Sequence, residues 1–193
     1  MKQRLLLYIK HHPPLFTATG FGLAGLPCLL VWDAGGIIPG ILISGAVGGI
    51  CLAYVTNRRD STVLAMFGFG SAFLFGGMIS GGGLILLAER SLSFLGFYAM
   101  YILGFGIAGM LAAAFTRSQL MPVANSSVCF IVGSVVGGAA AGIIAEFAGR
   151  KSALAGMMGL LITNVVGGGL AGAVSEPSEP EEGAVTNKGR NEG

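Results

Sequence analysis

The chain has 193 residues, of which 53% are apolar and only 10% charged, against about 25% charged in an ordinary soluble domain. Its mean hydropathy is +0.79, and its 34 glycines are interleaved with Leu, Ile, Val and Phe without a collagen period, which excludes a water-soluble globule, a fibre and general disorder. The eleven Lys and Arg residues against nine Asp and Glu are scattered between apolar stretches, so no basic patch for nucleic acid is expected.

At the N-terminus, residues 1–14 combine Lys2, Arg4 and Lys10 with Leu5, Leu6, Leu7, Tyr8 and Ile9 and close on His11, His12, Pro13 and Pro14. This reads as a cytoplasmic or interfacial segment, because the basic and proline residues break any leader-like apolar run. Residues 15–174 then supply apolar runs long enough for a helix to cross the roughly 30 Å hydrocarbon layer. Six are read: Leu15–Trp32, Gly35–Val55, Val63–Ala88, Leu92–Phe115, Val128–Ala145 and Ala153–Val174. The first two are separated by a hairpin at Trp32, Asp33, Ala34, Gly35 and Gly36, with Trp32 in the interface and Asp33 in water. The runs lack strand alternation, so the predicted class is all-α, a polytopic integral membrane protein with six transmembrane helices. Pro27 and Pro39 are expected to kink the helices beside the hairpin.

With six spans, one face collects Lys2, Arg4, Lys10, Arg58, Arg59, Arg117, Lys188 and Arg190, and the other Arg90, Arg150 and Lys151. The basic excess places both termini in the cytoplasm of a cell-membrane protein. Beyond residue 174 the tail (175–193) carries five glutamates against Lys188 and Arg190 and is expected to be disordered.

The halves resemble each other. Gly20-Phe21-Gly22-Leu23-Ala24-Gly25-Leu26 matches Gly104-Phe105-Gly106-Ile107-Ala108-Gly109-Met110 at five of seven positions. Val47-Gly48-Gly49 matches Val136-Gly137-Gly138, and Ser61, Met66, Gly68, Gly76, Gly77 and Gly81 match Ser152, Met157, Gly159, Gly167, Gly168 and Gly172. Any one glycine match follows from composition; three in the same order indicate a 3+3 inverted repeat, with units of about 15–90 and 91–174, as found among transporters and channels.

Two glycine runs occupy corresponding spans: Gly76, Gly77 and Gly81 in the third, Gly167, Gly168 and Gly169 in the sixth. Such runs favour local unwinding that exposes backbone to a solute. With Thr163 and Asn164 just before the second run, they form the candidate solute pathway. Asn164 is the most informative, because its amide requires a partner inside the bilayer. Gly45 and Gly49, with Gly133, Gly137, Gly138 and Gly142, have the four-residue spacing of a helix-packing seam. Ser71 and Ser80 bond back to their own helices, Tyr98 and Tyr101 suit an aromatic belt or pore, and Glu146 is spaced to pair with Arg150.

The adjacent His11 and His12 lack helical metal spacing, and Cys28, Cys51 and Cys129 form no CxxC. No nucleophile, metalloprotease or phosphate-loop motif is present. The expectation is therefore a non-enzyme without cofactor or metal, embedded in the lipid bilayer and associating as a homo-oligomer or with other membrane subunits. Its expected role is passive passage of a small solute or ion; the alternative is a non-catalytic scaffold or assembly subunit whose glycine-rich faces pack on partner helices.

Overall fold

The computed structural model describes residues 11–24, 26, 37–88, 94–148 and 153–175. Six α-helices follow in order: α1 (Pro13–Leu23), α2 (Ile37–Val55), α3 (Thr62–Ala88), α4 (Phe94–Phe115), α5 (Val123–Ala148) and α6 (Ala153–Val174), with a 3-10 turn at Arg59–Ser61. The expected hairpin around Trp32, with Pro27, Cys28, Arg150, residues 1–10 and the acidic tail from Glu176, lies outside the described residues.

Among the described residues, four helical segments are long and apolar enough to cross a membrane: Ile38–Val55, Arg59–Ile79, Val123–Ile144 and Gly156–Val174. Their lipid-compatible surface is made of large side chains, among them Val63, Phe67, Phe75, Met78, Val132 and Ile143, all exposed. Glycines such as Gly45, Gly49, Gly133 and Gly137 lie at the contacts between helices, which is the arrangement that lets backbones approach where lipid is as apolar as the protein.

Each helix packs on its sequence neighbours, and α1 packs on α6, so the six close into a ring. Neighbours run antiparallel. The start of α1 meets the end of α6, where a Cβ built on Gly172 would lie 2.7 Å from the Pro13 carbonyl oxygen. The α2–α3 turn meets the α4–α5 turn through the Ser61 hydroxyl, which donates to Gln119 Oε1 at 2.8 Å. One end of the ring, termed the charged face below, thus gathers exposed Arg58, Arg59, Asp60 and Arg117 with His11 and His12.

Both turns begin with the same hydrogen-bonded stop. The amide of Arg58 donates to the Ala53 carbonyl and that of Asn57 to Tyr54, while Ser118 donates to Ala113 and Arg117 to Ala114. This is the Schellman arrangement, which requires a left-handed residue after the helix. Asn57 (φ 56°) and Arg117 (φ 51°) occupy that position. Thr56 and Thr116 precede them and each bonds back one turn, at 3.0 and 2.9 Å.

Pro39 lies in the first described turn of α2, and the residues that precede that turn lie outside the described ones. The two glycine runs do not unwind, since α3 and α6 continue through them. At Gly76, Gly77, Gly167 and Gly168 the space of the missing side chain is taken by neighbours, and a helical backbone that stays hydrogen-bonded avoids exposing polar groups to hydrocarbon. Helix α5 starts five residues before the expected Val128, directly after Pro122.

Candidate functional site

The interior of the ring is filled by phenylalanine. Phe21 on α1, Phe69 and Phe73 on α3, Phe105 on α4 and Phe130 on α5 are all fully buried. Helices α1, α3 and α5 alternate around the ring, so contacts between their rings cross its axis. Phe73 stands edge-on to Phe130 with centroids 4.9 Å apart, and Phe21 lies 5.4 Å from both Phe73 and Phe130 and 5.5 Å from Phe69. Phe73 also meets Phe105 at 5.9 Å. Such offset and edge-on pairs match positive ring edges to negative faces.

Glycines seat this plug. Gly48 on α2 and Gly168 on α6 receive the Phe21 ring; a Cβ on Gly168 would come within 2.6 Å of its Cδ2. Gly167 similarly admits Phe130, and Gly45 admits Phe73 at 2.8 Å from the built Cβ.

One helical turn further from the charged face than Gly48 and Gly168 lie Ser44 and Asn164, 1% exposed each. Asn164 Nδ2 donates to Ser44 Oγ at 3.1 Å, joining α6 to α2. The Ser44 hydroxyl donates in turn to the Phe21 carbonyl oxygen of α1. Asn164 Oδ1 is buried and has no hydrogen-bond partner. A buried unpaired amide oxygen costs about 1–3 kcal/mol, so this acceptor is a marked feature of an interior in which the other buried hydroxyls bond to backbone, or, for Ser61, to Gln119. Among the described residues, every buried polar side chain is a neutral Ser, Thr or Asn.

The remaining predicted positions have these places. Thr163 is buried and bonds back to the Gly159 carbonyl at 2.8 Å; it faces α5 at Gly133 and Gly137 and is turned away from the Asn164–Ser44 pair. Gly76 abuts the Gly104 carbonyl of α4, Gly77 abuts Ile41, and Gly169 stands 3.6 Å from Ala18 Cβ in the same construction. The surroundings of Gly81, Ser80, Tyr98 and Tyr101 lie outside the described residues. Of the packing seam, Gly45 and Gly49 close against α3, and Gly133 and Gly137 against α6; Gly138 and Gly142 are buried on α5. Ser71 is half-buried on α3 and Glu146 is exposed near the end of α5. Cys51 and Cys129 are free and buried.

Sequence reasoning did not single out Ser44 or the phenylalanine cluster. Phe21 and Phe105 stood between the glycines of the duplicated Gly-Phe-Gly motif, a signal that small residues flank a bulky one that must be accommodated. Nor did it anticipate a cleft of about 340 Å³ at the charged face, lined by Ser118, Gln119, Met121, Asn125 and Val174 among others. Among the described residues no group of three or more His, Cys, Asp or Glu side chains is placed to hold a metal ion. No family model, curated protein or solved structure matches the chain.

Proposed function

We propose that the protein is a six-span membrane conduit that passes a small ion or solute passively, with the phenylalanine plug as its closed gate. The observation that carries this reading is the buried Asn164–Ser44 pair. It joins the second half of the chain to the first inside the ring and leaves a carboxamide oxygen unpartnered beside the plug. Intramembrane polar groups of this kind mark pathways, and apolar constrictions gate by excluding water.

The 3+3 inverted repeat fits a ring in which α1 closes on α6 as α4 does on α3. Both termini belong on the cytoplasmic side, because the face with Arg58, Arg59 and Arg117 is also the face where α1 begins and α6 ends. The solute pathway then runs past Asn164, and Gly167 and Gly168 serve it by seating the plug. Association into homo-oligomers, with the exposed apolar side chains against lipid or one another, is part of the same proposal. No catalytic role, cofactor or metal is assigned.

The scaffold alternative is favoured by the filled axis, but Gly45, Gly49, Gly76, Gly133, Gly137, Gly167 and Gly168, on which partner helices would pack, are occupied within the chain. Flux into proteoliposomes across a panel of ions and neutral solutes tests the proposal. Passage by the wild type that falls in Asn164→Leu supports it; no passage for any solute turns the reading to the scaffold.

A further inference from the structure

We infer that Asn164 Oδ1, Ser44 Oγ and the Phe21 carbonyl oxygen form a binding point for one small, singly charged cation. The inference deepens the conduit reading by naming what is passed. Asn164 Nδ2 donates to Ser44 Oγ and the Ser44 hydroxyl donates to the Phe21 carbonyl, so the amide nitrogen faces Ser44; a half-turn of the Asn164 carboxamide exchanges its two arms and brings Oδ1 to the other two neutral oxygens, from α2 and α1. The one group among them left without a partner is an acceptor.

The chemistry selects in three steps. An anion needs N–H or O–H donors, and the unpartnered atom repels it. A divalent ion such as Mg²⁺ or Ca²⁺ releases its water only to carboxylates or many oxygens, and no carboxylate is among the buried side chains described. A singly charged cation is matched by neutral oxygens that replace part of its hydration shell, as in carbonyl-lined filters. Ammonium satisfies the same oxygens through its N–H groups, and sodium or potassium through direct coordination.

The position also couples the site to the plug. Ser44 holds the backbone of Phe21, and the Phe21 ring packs on Phe69, Phe73 and Phe130. A cation that takes the Ser44 oxygen and the Phe21 carbonyl as ligands replaces the hydrogen bond between them. It thereby loosens the residue on which the other rings rest.

The test is thermal unfolding of the full chain in lipid nanodiscs with NaCl, KCl or NH₄Cl, against N-methylglucamine chloride at equal ionic strength. A ligand bound only by the folded state raises Tm with concentration. The expected result is a saturable rise in at least one small-cation series, roughly tenfold weaker in Ser44→Ala and lost in Asn164→Leu. If the wild type responds alike to the small cations and N-methylglucamine, or if Ser44→Ala and Asn164→Leu both respond as the wild type does, the site is overturned. If Asn164→Leu does not fold, the wild-type selectivity and the Ser44→Ala shift decide. Cation-specific stabilisation without flux upholds the site and removes the conduit; flux without stabilisation does the reverse.

Discussion

Asn164 is held by geometry that a hydrophobic substitute can imitate in shape but not in chemistry. Leucine at this position removes the unpartnered Oδ1 together with the bond from Nδ2 to Ser44, whose hydroxyl keeps its bond to the Phe21 carbonyl, and an exchange that leaves no buried donor unpaired is close to neutral. Asn164→Leu is therefore expected to keep an unfolding free energy within about 1 kcal/mol of the wild type while losing most of its solute flux. A large fall in folded yield would instead assign Asn164 to helix cohesion. Phe73→Ala acts in the opposite sense. Phe73 contacts Phe21, Phe105 and Phe130, so its removal leaves a cavity at the axis and costs about 3–5 kcal/mol of stability. In proteoliposomes the same variant is expected to leak more than the wild type. Both measurements follow from the plug being apolar and the pair beside it polar.

The seams between helices make predictions of their own. On α2, a Cβ at Gly45 would stand 2.6 Å from the Phe69 carbonyl oxygen, which is backbone and cannot rotate away. Gly45→Ala is expected to destabilise by about 1–3 kcal/mol, and Gly49→Leu to abolish most folded protein in detergent extracts. On α3 the nearest atom to a Cβ at Gly70 is 3.4 Å away, so Gly70→Ala should be tolerated in the same assay. At the end of α4, Arg117 is held left-handed at φ 51°, which costs an L-residue about 1–2 kcal/mol. Arg117→Gly is expected to raise Tm, and a fall would show that its charge on the turn matters more than its backbone. The helix limits were legible where polarity changes abruptly. The expected span Ala153–Val174 is the whole of α6, bounded by Lys151 and Ser152 on one side and Ser175 on the other. They were not legible at α5, because Asn125, Ser126 and Ser127 are polar yet helical. Hydropathy detects the lipid-embedded part of a helix and misses a turn that extends beyond it. Ser126 is in fact buried, with its hydroxyl donating to the Gly109 carbonyl of α4 at 2.8 Å.

At the scale of the molecule, glycines sit at the helix contacts, phenylalanines fill the interior and large apolar side chains cover the outside, and closure of the ring brings Asn164 to Ser44. That convergence was only half legible. Asn164 announces itself as an amide in an apolar span, whereas Ser44 has nothing local to separate it from other span serines. Its role arises from pairing with a residue 120 positions away. The phenylalanines escaped notice for a similar reason: they sit on four helices and share no sequence period. If the ring is oriented as proposed, a reporter fused after Gly193 reads as cytoplasmic, and an external signal reverses the topology. The central claim is a conduit closed by the plug and served by Asn164. Its most direct test is radiotracer or fluorescent-dye flux of Na⁺, K⁺ and NH₄⁺ in proteoliposomes carrying wild type, Asn164→Leu or Phe73→Ala. The account predicts downhill flux above protein-free vesicles for the wild type, more for Phe73→Ala and background for Asn164→Leu. Background flux from all three folded proteins would contradict it.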